Sequence, residues 1–143
     1  MHMVTKQLLV GNAEDAANPP PQVGAVLMVA EEQHVTAPSW IVFAKVPLKE
    51  FGEATPNALL QAVEWVEAQI SENRVMVCCR AGMGRSVSVV IAYLCCVEDM
   101  PYAEAAKLVL ARRPGGLPLP RLQDTIEAAV RLRANRKPPI SHA

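Results

Sequence analysis

The segment Val75–Leu94, VMVCCRAGMGRSVSVVIAYL, changes character twice over a short distance. It begins as a β-branched apolar run, passes through a loop that contains two glycines, and ends as an apolar segment of helical length. This pattern predicts a buried strand, a bending loop and a helix in immediate succession. Because the helical segment has no polar face, we expect it to lie inside the domain.

Other apolar runs of strand length alternate with segments of helical periodicity. Strands are predicted over Gln7–Val10, Val23–Ala30, Trp40–Pro47 and Val75–Val77. Helices are predicted over Ala13–Ala17, Pro56–Ile70, Ser86–Val97, Pro101–Arg112 and Pro120–Asn135. Thr55 is the expected N-cap of the second helix, with proline at its first position. Such alternation predicts an α/β fold, with a central, mostly parallel sheet flanked by helices.

The chain is long enough for one domain with a proper core, at 143 residues. We expect a single domain over residues 1–135 and a disordered tail over 136–143. Fourteen basic and fourteen acidic residues balance, so the chain has no bulk reason to bind nucleic acid or an anionic membrane. Any positive field must therefore be local.

Targeting and redox features favour a cytoplasmic protein. No run reaches the ~18 apolar residues that cross a bilayer, and the N-terminus does not resemble a secretory signal. The four cysteines form two adjacent pairs, Cys78–Cys79 and Cys95–Cys96. This spacing suits neither structural disulfides nor a zinc site. We expect free thiols in a reducing compartment, and no metal or other cofactor.

The loop itself predicts an anion site. A loop between a buried strand and a helix N-terminus points several backbone N–H groups at one spot, where the helix dipole adds positive charge. Glycines permit the backbone angles of such a cradle, and an arginine grips two oxygens of a phosphate with its planar fork. The predicted phosphate-binding residues are Arg80, Ala81, Gly82, Met83, Gly84 and Arg85.

The same field acts on Cys79, which would lie at the bottom of the cradle. Cysteines at helix N-termini beside cations ionise well below the ordinary pKa of about 8.5. Cys79 is then a nucleophile under a bound phosphorus atom, and the Ser86 hydroxyl can hydrogen-bond the thiolate and help it to leave. The residues therefore predict a covalent phosphatase. The alternative for a cysteine on an apolar strand is simple core packing.

The stretch CRAGMGRS resembles the C-x5-R-[ST] signature loop of cysteine-based protein tyrosine phosphatases. The rest is similar to the small dual-specificity phosphatase domain, in KQLLVGNAEDA, VGAVLMVAEE, WIVFAKVPLKE and ARRPGGLPLPRLQD, taken in order. The resemblance implies the fold of that superfamily and a monomeric enzyme that hydrolyses phosphotyrosine in proteins. A shallow pocket, expected in so short a chain, would also accept phosphoserine and phosphothreonine.

Two residues depart from the family pattern. Members usually have a histidine before the nucleophile, where this chain has Cys78, either as core packing or as a redox partner. Members also use an aspartate about thirty residues before the nucleophile to protonate the leaving oxygen. At that place this chain has Glu50, with Glu53 as the next carboxylate. The resemblance implies that a glutamate is the general acid, slower than an aspartate; the alternative is that both glutamates are solvated loop acids.

The substrate class stays open at this level. Relatives that act on phosphoinositides tend to have basic loops, and this loop has Arg80 but also apolar Met83. Arg112 and Arg113 are expected to be a solvated helix end, with added charge near the rim as the alternative. Besides a protein phosphatase, we consider a lipid or nucleotide phosphatase on the same fold, and a pseudophosphatase that binds phosphate without turnover.

Overall fold

A five-stranded sheet lies at the centre of the protein. The computed structural model describes residues 1–50 and 52–136. Its strands are His2–Met3 (β1), Leu8–Gly11 (β2), Ala25–Ala30 (β3), Val42–Leu48 (β4) and Val75–Cys78 (β5). The strand order is β1-β2-β5-β3-β4, with every pair from β2 to β4 parallel and β1 antiparallel on the edge. The expected mostly parallel sheet is confirmed.

The strand register sets where the loop after β5 emerges. Cys78, the last residue of β5, pairs with Gly11 at the end of β2 and with Met28 near the end of β3. Every residue of these three strands is buried, as continuous apolar runs predict for strands covered on both faces. The chain therefore leaves the central strand at the carboxyl edge of the sheet, between two neighbouring strand ends.

Five helices complete the described part of the chain. They are Ala13–Ala17 (α1), Pro56–Ile70 (α2), Arg85–Cys96 (α3), Tyr102–Arg112 (α4) and Leu122–Arg136 (α5). Local caps start the first two: Asn12 and Asp15 exchange hydrogen bonds in a capping box, and the Thr55 hydroxyl accepts from the Ala58 amide at 3.1 Å. Within the described ranges, none of these helices is long and apolar enough to span a membrane.

Helix α3 is the interior helix. Its residues from 85 to 94 are all buried. It contacts β2, β3 and β5 on the sheet, and α2, α4 and α5 among the helices. An apolar segment without a polar face is stable only when protein surrounds it, so the sequence-based expectation is confirmed. The N-terminus of this helix is thereby held rigidly against the carboxyl edge of the sheet.

Several boundaries differ by one or two residues from the sequence-based predictions, and three details matter most. β1 was not expected, because two residues carry no periodic pattern. Trp40, expected in a buried strand, is 69% exposed, and the strand begins only at Val42, on the sheet edge. Arg136, expected to open the tail, is the last residue of α5, where it bonds Glu64 on α2. The remainder of the predicted tail, 137–143, lies outside the described residues.

Candidate active site

The loop between β5 and α3 is anchored to the neighbouring strand before it turns. The Cys79 amide donates to the Gly11 carbonyl at 3.3 Å, which extends the β2–β5 pairing by one residue. The Ala13 amide at the start of α1 donates to the Arg80 carbonyl, also at 3.3 Å. Both bonds use backbone groups at or just after the ends of β2 and β5, so the sheet register itself positions the start of the loop.

The Cys79 thiol lies at the bottom of the loop, among hydrogen-bond donors. Its Sγ is 3.2 Å from the Ser86 hydroxyl and 3.2 Å from the Gly82 amide nitrogen. Burial by itself raises the pKa of Cys79, but the Ser86 hydroxyl and the amides of Ser86, Gly82 and Gly84 lower it, and the net pKa lies below the ordinary value. The site therefore stabilises a thiolate.

The Arg85 side chain is buried and oriented by a carboxylate. Nη1 and Nη2 donate to the two oxygens of Glu32 at 2.6 and 2.7 Å, and Nη1 also donates to the Leu48 carbonyl at 3.1 Å. The hydrogen bonds from Arg85 lower the pKa of Glu32 to about 2. A guanidinium has five N–H groups, so the Nε–H and one Nη2–H are left to hold an anion in the cleft that Arg85 lines.

A second buried arginine supports the loop from outside. Arg113, at the end of α4, is only 4% exposed; its Nε donates to the Gly82 carbonyl at 2.9 Å and its Nη2 to Ala81 at 3.3 Å. Nη1 lies 2.6 Å from Nδ1 of His2, whose pKa is lowered by burial, by Arg113 and by the N-terminus. Arg113 thus draws loop carbonyls away from the anion cradle. The expectation of a solvated helix end is wrong for this residue.

Gly82 is the residue on which the loop conformation depends. Its φ is +71°, in the left-handed region that glycine adopts without strain. A Cβ at this position would lie 2.5 Å from the Arg113 guanidinium and 2.7 Å from the Gly11 carbonyl oxygen. Neither space nor backbone angle admits a side chain, so a glycine is required where the chain turns over the thiol.

The opposite side of the cleft is formed by the segment that follows α4. The Leu117 amide donates to the Met83 carbonyl at 2.7 Å. The Ser88 hydroxyl donates to the Gly84 carbonyl at 2.8 Å and accepts from the Leu119 amide at 2.9 Å. The bonds of the Leu117 and Leu119 amides tie the segment 117–120 to the loop and to α3, and the Ser88 hydroxyl joins that segment to Gly84. The resulting cleft has a volume of about 560 Å³.

The two candidate general acids lie in different places. Glu50 lines the cleft together with Cys79 and Arg85, and its carboxylate is 3.1 Å from the Arg80 guanidinium. Glu53 instead pairs with Arg121 at 3.4 Å and is absent from the described lining of the cleft. The structure thus brings only Glu50 into the site, and the role of this carboxylate stays a prediction.

The other cysteines have an environment opposite to that of Cys79. Cys78 is fully buried at the end of β5, and its pKa is raised, first by burial and then by the charge of Asp15. Burial also raises the pKa of Cys95 to about 11 and that of Cys96. All four cysteines are free thiols. Among the described residues, no group of three or more side chains forms a metal site.

Sequence reasoning did not identify Glu32 or His2 as part of this site, and it considered Arg113 only as added charge near the rim. Glu32 follows β3, and parallel strands end at one edge of a sheet, so its position was a usable signal. Arg113 gave a weaker signal, since most arginines at helix ends are solvated. The contact of His2 depends on the edge strand β1, for which the sequence carries no pattern.

The fold and the strand–loop–helix at its carboxyl edge are those of the cysteine-based protein tyrosine phosphatase superfamily. Within that class, the chain belongs to the family described as dual specificity phosphatase, catalytic domain, whose family model matches residues 11–129. It is therefore a phosphatase of this superfamily. No curated protein sequence matches the chain at a significant level.

Solved structures of low sequence identity share the fold. Human DUSP28 is 21% identical with a TM-score of 0.79, and the match covers 96% of this chain and 100% of that one. A mouse protein described as a dual specificity phosphatase, complexed with zinc tungstate, is 21% identical with a TM-score of 0.82, covering 94% and 89%. PTPMT1 in complex with PI(5)P is 17% identical with a TM-score of 0.77, covering 94% and 97%.

Proposed function

We propose that this chain is a cysteine-dependent protein phosphatase that hydrolyses phosphotyrosine, and also phosphoserine and phosphothreonine, through a phospho-cysteine intermediate. One observation carries the proposal. The Cys79 sulfur has two hydrogen-bond donors at 3.2 Å and a lowered pKa, at the bottom of a cleft that the buried Arg85 also lines. This arrangement suits a nucleophile under a bound oxyanion.

In the first step, the Cys79 thiolate attacks phosphorus and forms an S–P bond while the P–O ester bond breaks. The loop amides and the free edge of Arg85 hold the three non-bridging oxygens, where charge accumulates. The leaving oxygen takes a proton from Glu50, which lines the same cleft. The products are the phospho-cysteine and the dephosphorylated side chain.

In the second step, water attacks the phosphorus of the phospho-cysteine and the S–P bond breaks. The Glu50 carboxylate, left ionised by the first step, accepts the proton of the water. The sulfur leaves as a thiolate, and the Ser86 hydroxyl at 3.2 Å stabilises it by donating a hydrogen bond. Inorganic phosphate is released, and the protonated Glu50 is ready for another cycle.

The charges around the cleft support a protein substrate over a phosphoinositide. Among the described residues that line it, the cations are Arg80 and Arg85. Arg85 is assigned to the transferred phosphoryl group, and Arg80 is paired with Glu50. A headgroup with several phosphates therefore finds few cations to bind. A phosphorylated side chain carries a single phosphate and has no such requirement.

We further propose that the protein is a monomer of one domain that acts in the cytoplasm without a cofactor. Its four free thiols support a reducing compartment. The chemistry assigned to Cys79, Arg85, Ser86 and Glu50 balances without a metal, so EDTA should leave turnover unchanged. Loss of turnover in EDTA with recovery on adding a divalent cation would contradict this part.

Turnover of p-nitrophenyl phosphate, phosphotyrosine and phosphothreonine peptides, and PI(5)P vesicles tests the function, with Cys79→Ser as the blank. We expect peptide turnover, none above the blank for Cys79→Ser, and weak or no release from PI(5)P. Arg85→Ala should lose at least a hundredfold in kcat/KM, because it removes both binding and charge stabilisation. Glu50→Gln should slow alkyl esters more than aryl esters, since a phenolate leaves with little protonation.

Four outcomes would contradict the proposal, each in a different way. Activity retained by Cys79→Ser would exclude the covalent mechanism. Faster release from PI(5)P than from either peptide would favour a lipid phosphatase. Phosphate binding without any turnover above the blank would favour a pseudophosphatase, and equal effects of Glu50→Gln on both ester types would assign the acid elsewhere.

A further inference from the structure

We propose that the segment Leu117–Pro120, here called the apolar wall, selects aryl phosphates over alkyl phosphates by packing against the substrate's ring. Leu117 is the specificity-determining side chain of this wall. The inference rests on the phosphatase function proposed above and narrows its substrate class: phosphotyrosine side chains are preferred, and phosphoserine and phosphothreonine are poorer substrates.

The apolar wall is fixed in place before any substrate binds. The Leu117 and Leu119 amides are bonded to the Met83 carbonyl and the Ser88 hydroxyl at 2.7 and 2.9 Å. Two prolines in the segment fix their own φ angles and restrict the residues before them. The wall therefore offers a preformed surface beside the loop, and little conformational entropy is lost when a ligand packs against it.

The apolar wall presents apolar side chains to the part of a substrate that extends out of the phosphate cradle. All four of its residues line the cleft, and Met83 contributes a further apolar side chain from the loop. Leu117 is 75% exposed, the most exposed large apolar side chain in the described part of the protein. A single exposed leucine needs no explanation, but this one lines the reactive cleft, and its backbone amide is bonded to the loop.

The phosphate position determines which part of a substrate meets this wall. With the phosphoryl group in the cradle over Cys79, the atoms next to the ester oxygen occupy the cleft beside Leu117. In phosphotyrosine those atoms form a planar ring, which buries apolar area against the wall. In phosphothreonine the atom next to the ester oxygen is a branched carbon, which is bonded directly to the polar backbone. The ring gains contact that the shorter side chain cannot make.

The inference is tested with two peptides that are identical except at one position, which is phosphotyrosine in one peptide and phosphothreonine in the other. We expect Leu117→Ser to lower kcat/KM for the phosphotyrosine peptide about tenfold and to change that for the phosphothreonine peptide by less than about twofold. Leu117→Met should retain the parent ratio, because it keeps the apolar contact. Leu132→Ser, on α5 and outside the cleft, is the matched control and should change neither rate.

If Leu117→Ser lowers kcat/KM equally for both peptides, Leu117 has a structural role only. If kcat/KM is unchanged for both peptides, Leu117 has no role in specificity. Either result overturns the inference. Binding of the same peptides to the Cys79→Ser protein, with and without Leu117→Ser, separates this failure from that of the proposed function. If the parent protein shows no turnover, the proposed phosphatase function is wrong. The inference is then still tested by binding: the Cys79→Ser protein must bind the phosphotyrosine peptide more tightly than the phosphothreonine peptide, and Leu117→Ser must remove this difference.

Discussion

Two adjacent cysteines have opposite environments in this protein. Cys78 is the last residue of β5 and faces only protein, so burial dominates and its pKa is raised. Cys79 is one residue further, where the loop amides and Ser86 point at its sulfur, and its pKa is lowered. A shift of one position along the chain thus separates a structural thiol from a reactive one. The same position also supports packing, rather than redox pairing, as the role of Cys78.

This contrast predicts selective alkylation. Iodoacetamide at pH 6.5 should label Cys79 at least tenfold faster than the other three cysteines, because only thiolates react and burial raises the pKa values of the others. Inorganic phosphate should slow the reaction by occupying the cradle. Peptide mapping by mass spectrometry gives the rate at each site, and the unfolded protein at high pH is the control. Similar slow labelling at all four sites would contradict a thiolate at Cys79.

Among the elements, the strand–loop–helix β5–α3 depends on one backbone angle. An alanine at position 82 would adopt a left-handed conformation that costs roughly 1–3 kcal/mol, and its Cβ would meet the Arg113 side chain and the Gly11 carbonyl. We expect Gly82→Ala to lower p-nitrophenyl phosphate turnover at least tenfold and to reduce the melting temperature, because the amides no longer converge on Cys79.

The matched control for this substitution is Gly52→Ala. A Cβ at Gly52 meets nothing within 4 Å, and this glycine also lies in a loop. Turnover and melting temperature should stay close to the parent values. If Gly82→Ala behaves like Gly52→Ala in both measurements, the loop does not need a glycine and the cradle must form in another way.

How well the ends of each helix or strand could be predicted depends on whether the interactions that define them are local in sequence. Helix α2 begins at Pro56 and ends at Ile70 as predicted, because its cap and its periodicity are local in sequence. The strand expected from Trp40 begins two residues later, at Val42, and the interior strand β3 begins two residues after its predicted start, because strand ends depend on pairing with neighbouring strands. Local signals therefore predicted the five described helices and four of the five described strands, but neither β1 nor the order of the strands in the sheet.

Predictability of the site is limited for the same reason. Cys79, Arg85 and Ser86 lie within one short motif, and their mutual arrangement follows from a strand, a loop and a helix in sequence. Glu32 contacts Arg85 across 53 positions of sequence, and Arg113 contacts Gly82 across 31. No local sequence pattern predicts these two contacts. They can be identified only when the strand order and the packing of α4 are known.

At the scale of the whole molecule, the Glu32–Arg85 pair connects the ends of β3 and β4 with the start of α3. The pKa of Glu32 is about 2 in the folded protein against 4.5 for the free side chain. A depressed carboxyl pKa stabilises the fold at pH values above the unfolded pKa, and this stabilisation is lost as pH falls through the folded pKa. The pair should therefore contribute to acid unfolding between about pH 4.5 and pH 2.

Denaturant unfolding of Glu32→Gln as a function of pH tests this contribution. At neutral pH we expect a loss of about 1.5 kcal/mol in the free energy of unfolding, since the buried Arg85 loses its ionic partner. Below pH 4.5 the curves of variant and parent should converge. Glu72→Gln removes an exposed carboxylate just after α2, and its free energy of unfolding should follow that of the parent at every pH. A constant difference at every pH would contradict the linkage.

The loop after β5 is held by residues from both ends of the chain: by Gly11 from the β2 side, and by Arg113 and Leu117 from the segment around the end of α4. During synthesis the motif itself emerges well before Arg113 and Leu117 do. A nascent chain that already displays the complete motif would still lack the supports that close the cradle. Oxyanion binding thus requires that α4 and the segment Leu117–Pro120 have already packed against the loop.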